Sequence, residues 1–148
     1  MNTLSNKLEQ ILRELPELVQ GITEQDFLYK RTMDKWSKQE ILGHLCDSAS
    51  INHLRFVKVI LNDTIIELEG YEQIKWVTAH DYQNSYTREE LLTVWKNLNL
   101  LILKTMQNVS QTDQEKHCIT SDGREITLYI LFEDYLKHVA HHMKQIEN

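Results

Sequence analysis

Three of the seven histidines in this chain stand where their spacing allows a shared task. His138 and His142 are four residues apart. On a helix both imidazoles therefore leave the same side, one turn apart, and can meet at one point. Such a pair is a common way to offer two nitrogen ligands to a metal ion. Histidines near a helix carboxyl end can also face water and interact with the helix dipole. Here positions 128, 131, 135, 138, 142 and 146 follow one helical face, and its other members are Leu128, Leu131, Tyr135 and Ile146. Two unpartnered imidazoles on an apolar face are costly, and a shared cation satisfies both.

A third ligand must come from another helix. His44 lies between Ile41 and Leu45, near the inward stripe of an earlier helix. Alone it reads as a satisfied core histidine; beside the closing pair it reads as the third ligand. Asp47 lies one turn further along the same face, as a fourth ligand, an acceptor that orients an imidazole, or a base. A helix-surface carboxylate is the competing reading. Three imidazoles leave at least one coordination position open, the layout of a catalytic rather than a closed structural site. Water held there would be acidified toward neutrality, and a low-molecular-weight thiol would lose its proton.

The remaining candidates are weaker. His53 is nine residues from His44, about half a turn out of phase, and should face away. His141 is offset from the closing pair and is placed at the rim. His80 and His117 fall in irregular or hairpin segments, where exposure is the default. Cys46 reads as buried filler, and Cys118 would be reactive only if exposed with a lowered pKa. Arg55 is either a receiver for an anionic group on a substrate or an exposed helix-surface arginine. Tyr71 and Trp76 either shape a pocket or simply pack. No phosphate-cradling glycine loop, GxSxG elbow or paired CxxC occurs.

The elements that must position these residues are helices. Leu4, Leu8, Ile11 and Leu12 predict a first helix over about residues 3–20, with Pro16 as a kink or restart and Gly21 as a stop. Ser37 and Glu40 form a capping-box pattern that opens a second helix running to about Leu61. Residues 62–86 show no clean period and read as a long crossover between parallel neighbours. Thr87 and Glu90 repeat the capping box and open a third helix to Val109, its stripe carrying Leu91, Trp95, Leu98 and Ile102. Asp122-Gly123 predicts a short hairpin before a last helix over about Thr127–Ile146. The fold class is therefore all-α, a four-helix bundle in one domain over residues 1–148.

Composition agrees. Four glycines and one proline are too few for the tight turns of a sandwich or barrel. A net charge of −6 with neutral histidines, without a basic run, argues against nucleic acid as a partner. No apolar run approaches the roughly 20 residues that span a bilayer. The amino terminus has none of the features of a secretory signal. Two cysteines do not make a disulfide framework, so a reduced, cytoplasmic setting is expected.

In this order the pattern resembles the DinB-like superfamily of metal-binding four-helix bundles. Trp36-Ser37 precedes a lone His44, Asp47 follows, and His138 and His142 close the chain. A narrower similarity, to the branch of metal-dependent hydrolases and bacillithiol S-transferases, is carried by several further segments. They are Asp47-Ser48, Arg55-Phe56, the stretch from Asp63 to Ile66, Tyr71-Glu72 with Trp76, and the segment from Ser121 to Ile126. The usual proline of the third stretch is Ile65 here, which leaves every ligand in place. The resemblance implies an up-down-down-up bundle and a zinc or nickel ion on His44, His138 and His142. It also implies a small-molecule substrate, among them a low-molecular-weight thiol, and a homodimer. The expected function is S-transfer or hydrolysis, with a non-catalytic metal-binding stress protein as the alternative.

Overall fold

The computed structural model describes residues 1–148. Helix α1 spans Asn2–Gln20 and buries Leu4, Leu8, Ile11, Leu15 and Val19, one stripe at helical spacing. It runs through Pro16 without ending, and Gly21 closes it in a right-handed conformation with its N–H on Glu17 O. A short helix α2, Glu24–Leu28, is capped by Thr23 and follows at once; the sequence pattern had not announced it.

Helix α3, Lys38–Leu61, starts at the expected capping box. Ser37 Oγ accepts the Glu40 N–H at 3.1 Å, and Glu40 Oε2 accepts the Ser37 N–H at 2.8 Å. The 62–86 crossover is more ordered than its lack of period predicts. It holds strand β1 (Ile66–Glu67), helix α4 (Gln73–His80) and helix α5 (Tyr82–Ser85). These elements are too short for a hydrophobic period to register; α4 and α5 take their order from packing on α3, and β1 from pairing with a later strand. Helix α6 spans Arg88–Asn108 behind its own capping box at Thr87, and a turn of helix, α7, covers Gln111–Gln114.

The hairpin forms as expected from β2 (His117–Ile119) and β3 (Glu125–Thr127), antiparallel with Cys118 opposite Ile126. Gly123, at φ 83°, supplies the left-handed turn position that favours glycine. Strand β1 adds in parallel to β2, Ile66 opposite Cys118, so a three-stranded sheet joins the otherwise helical fold. Helix α8, Leu128–Glu147, closes the chain behind an N-cap at Thr127.

Helix directions follow from contacts at the ends. Gln39, at the start of α3, donates to the carbonyls of Tyr82 (2.6 Å) and Tyr86 (2.9 Å), so the crossover returns to the end where α3 began. Helix α6 therefore runs parallel to α3. Arg88 of α6 reaches the carbonyls of Val19 and Ile22 at the end of α1, which makes α1 antiparallel to both. Lys116, just ahead of α8, donates to Ile60 O, so α8 runs back along α3. The bundle is up-down-down-up, with α1 and α3 each packed between α6 and α8. Its core is one apolar cluster that includes Leu42, Phe56, Trp95, Ile102, Phe132 and Val139. No helix is long and apolar enough to cross a membrane.

Candidate metal centre

Because α8 runs antiparallel to α3, residues 44 and 138 come level although 94 positions separate them. His44 is completely buried, His142 is 9% exposed and His138 is partly buried. Their three rings meet edge to face, with centroids 5.1 Å (His44–His138), 4.8 Å (His44–His142) and 4.5 Å (His138–His142) apart. One nitrogen from each lies within 4.8 Å of the others, and His44 Nε2 is 3.1 Å from His138 Nε2. Nitrogen ligands about 2.0–2.1 Å from a tetrahedral ion stand about 3.3 Å apart, so the closest pair already has ligand spacing. The separations to His142 lie within 4.8 Å.

The protonation chemistry suits a cation. Burial, then the neighbouring His142 and His138, push the His44 pKa down to about 3. Burial, then His142 and His141, lower His138 to about 4. Burial also lowers His142, against the opposing effect of Gln145. All three imidazoles are thus neutral at pH 7, with lone pairs available. His142 Nδ1 donates to Gln145 Oε1 at 2.7 Å, which leaves Nε2 as its free acceptor. The same amide donates from Nε2 to His141 Nε2 at 3.2 Å, which fixes its own orientation. His44 Nδ1 is buried with no partner. An imidazole so placed is costly unless its other nitrogen gains a strong contact.

Asp47 is no surface carboxylate. It is 3% exposed, accepts the Tyr82 hydroxyl at 2.6 Å on Oδ1, and has His80 Nδ1 3.3 Å from the same oxygen. Its second oxygen is buried without a partner, and it is not among the groups that converge with the histidines. Burial raises its pKa, against the lowering effects of Tyr82 and His80. His80 keeps part of its expected exposure, but its Nδ1 lies 3.1 Å from Trp76 O and its ring stacks on Tyr82. The link is Asp81 at φ 48°, a left-handed residue that lets both of its neighbours turn toward Asp47. Only a long-range fold can reveal this, since nothing local to residues 80–82 points to α3. Tyr82 approaches α3 closely because residue 43 is glycine; a Cβ there would lie 2.2 Å from the Tyr82 ring.

Trp36 packs on His44 with ring centroids 5.0 Å apart, and Tyr71 faces the same imidazole at 6.5 Å and 19°. Trp76 packs edge-on against Tyr71 and lies one layer further out. The Tyr71 hydroxyl is buried, lacks a partner of hydrogen-bond geometry although Ser48 is close by, and is pushed up to about 12 chiefly by that burial. Arg55 is half-buried rather than free on the surface. Its guanidinium donates to Glu69 O and, at 3.5 Å, to Asn52 Oδ1.

Two clefts flank these residues. The larger, about 540 Å³ between α3 and the crossover, contains none of the three histidines. The smaller, about 280 Å³, is lined by His138, Ser48, Asn52, Arg55, Tyr71 and the hairpin. The smaller is the one with access to the chemistry. His53 turns away toward Thr105 of α6, His141 is exposed, and His117 is exposed and paired with Glu125. Both cysteines are buried with thiol pKa values raised by desolvation, so neither is a nucleophile.

The fold is an up-down-down-up helical bundle that brings three histidines together between antiparallel helices. Residues 7–146 match the DinB superfamily, and the chain belongs to that family. Among solved structures it is similar to YfiT from Bacillus subtilis, described as a probable metal-dependent hydrolase with an unusual four-helix bundle topology. That match has TM-score 0.87 and 18% identity, over 98% of this chain and 82% of the other. It is also similar to a DinB-like protein, YjoA, of Bacillus subtilis, at TM-score 0.66 and 16% identity over 97% and 86% of the two chains. A third match is the mycothiol-dependent maleylpyruvate isomerase, at TM-score 0.76 and 8% identity. It takes in 96% of this chain but only 58% of the isomerase. No curated protein sequence matches the chain. The structural likenesses establish the fold; the site rests on the residues themselves.

Proposed function

We propose that this protein is a divalent-metal-dependent enzyme that acts on a small molecule, by thiol S-transfer of the bacillithiol type or by hydrolysis. The observation that carries this reading is the convergence of His44, His138 and His142 on one point beside a polar cleft. His44, His138 and His142 hold the ion, zinc or nickel, and Gln145 keeps His142 in the tautomer that ligation requires. When bound, the ion supplies Lewis acidity, which brings the pKa of a water or thiol toward neutrality.

The chain's own groups supply the rest. Asp47 serves as the proton-handling carboxylate: Tyr82 donates to Oδ1, His80 Nδ1 lies 3.3 Å from the same oxygen, and burial raises the carboxyl pKa. Arg55 binds substrate at the far end of the cleft. Trp36 and Tyr71 screen His44 from water. The relatives described as a probable metal-dependent hydrolase and a mycothiol-dependent isomerase support both branches of the proposal. A homodimer acting in the cytoplasm completes it.

Elemental analysis tests the metal. The protein should carry about one equivalent of zinc or nickel, and His44→Ala, His138→Ala and His142→Ala should each lose most of it. Full metal content in all three variants would reject the site. Turnover of monobromobimane with bacillithiol or glutathione, and of ester substrates without thiol, tests the enzyme. Metal uptake with no turnover of either kind would favour a non-catalytic metal-binding protein.

A further inference from the structure

Helix α3 lays a polar ladder along the floor of the smaller cleft. His44, Ser48, Asn52 and Arg55 follow one face at intervals of four, four and three residues. All but His44 line the cleft directly, with His138 at its inner end. The ladder ends in a guanidinium that has no counter-ion. Arg55 forms no ion pair, its Nε is buried without a partner, and its contacts are a backbone carbonyl and a weak bond to an amide oxygen. A half-buried cation held without a carboxylate is costly, and an anion arriving from outside relieves that cost.

The opposite wall does not fill the role. Asp122 and Asp134 line the same cleft but are already matched: Arg124 holds Asp122 at 2.9 Å and Asp134 at 3.3 Å, and Lys137 lies 3.7 Å from Asp134. An anion beside Arg55 therefore meets carboxylates whose charge is partly offset by Arg124 and by Lys137, the latter shared with Glu133 at 2.9 Å. Between the two ends the lining is hydroxyl and amide, from Ser48, Asn52 and Thr120. Eleven residues of helix separate His44 from Arg55, on the order of 16 Å between their Cα atoms at 1.5 Å per residue. A volume of about 280 Å³ lies at the small end for ligand pockets, so the occupant is slender.

We propose that this cleft takes an elongated, polar carboxylic acid, with its carboxylate on Arg55, its hydroxyl or amide groups along Ser48 and Asn52, and its reacting end at the three histidines. The assignment rests on the three-histidine reading for the reacting end only; the anion subsite stands on Arg55 and its surroundings.

The probe is N-acetylcysteine with its extensions by one, two and three glycines, each as free acid and as carboxamide. Binding is measured by titration calorimetry to zinc-loaded and to metal-free protein. Each pair has one length and one thiol and differs only in terminal charge. At the lengths that reach Arg55 the acid should bind about tenfold or more tightly than the amide. Arg55→Gln should erase that preference while leaving zinc content unchanged, and Arg55→Lys should restore part of it. Equal binding of acid and amide at every length in the wild-type protein would overturn the proposal, as would an acid preference that survives Arg55→Gln. An acid preference in a protein that takes up no zinc would keep the anion subsite and reject the metal centre. The wild-type comparison needs no variant to fold.

Discussion

Replacing Gly43 by alanine tests how the Asp47 carboxylate is held. Gly43 sits inside α3, where alanine alone would stabilise the helix by about 1 kcal/mol. A Cβ at this position would lie 2.2, 2.3 and 2.7 Å from three atoms of the Tyr82 ring, so the ring must move by about an ångström to regain van der Waals contact. Overpacking of this kind costs about 1–3 kcal/mol. The ring's hydroxyl is donated to buried Asp47 at 2.6 Å, and losing a bond to a charged acceptor adds about 1.5–3 kcal/mol. The balance is a destabilisation of about 2–4 kcal/mol, or roughly 5–15 °C in Tm for a chain of this length. Urea unfolding followed by circular dichroism reads the first quantity and calorimetry the second. In a Tyr82→Ala background the obstacle is gone, and the same Gly43→Ala change should stabilise by about 1 kcal/mol. An alanine variant as stable as the wild type would refute the close approach. Equal destabilisation in both backgrounds would place the strain somewhere other than Tyr82.

The metal-free protein should lose stability as pH falls from about 6.5 toward 4. The unfolded histidines take up protons at their ordinary value of 6.5, while folded His44 and His138 resist until about 3 and 4, so the unfolded state binds more protons across that window. Discounted for the partial exposure of His138, the slope is about 2 kcal/mol per pH unit. A double His44→Gln, His138→Gln variant should flatten it, and an unchanged slope in that variant would trace the effect to other groups. Gln145→Leu should weaken zinc binding about 10- to 100-fold in a competition assay with a chelator, while Gln145→Glu, which keeps an acceptor for His142 Nδ1, should not. Tyr71→Phe removes a buried hydroxyl that has no partner, so its unfolding free energy should equal or exceed the wild-type value by up to about 1–2 kcal/mol. A loss of that size instead would reveal an unrecognised partner.

What residues encode locally was legible in the chain itself. The stripe of α8, the two capping boxes at Ser37 and Thr87, and the Asp122-Gly123 turn all depend on neighbours within four positions, where helix and turn geometry is set. The pairing of His138 with His142 is of the same kind, one turn of one helix. Addition of His44 needed a judgement about which helix faces which, and periodicity does not contain that information. Only the antiparallel run of α8 along α3 brings His44 and His138 to 3.1 Å.

The crossover shows the limit most clearly. Strand β1 and helices α4 and α5 are stabilised by the surfaces they lie on, so residues 62–86 carry no period of their own. For the same reason His80 and Tyr82 looked unremarkable until the fold set both against Asp47, and Gly43 passed as an ordinary helical residue until Tyr82 filled the space beside it. From its position on α3 Arg55 is open between an anion receiver and an exposed charge, and the fold makes it a half-buried cation that donates to the Glu69 carbonyl. Helical identity and the closing histidine pair were thus determined by short-range geometry. The buried carboxylate, the polar cleft and the meeting of three imidazoles were decided by contacts between segments far apart in the chain, whose energies exist only after the bundle has assembled.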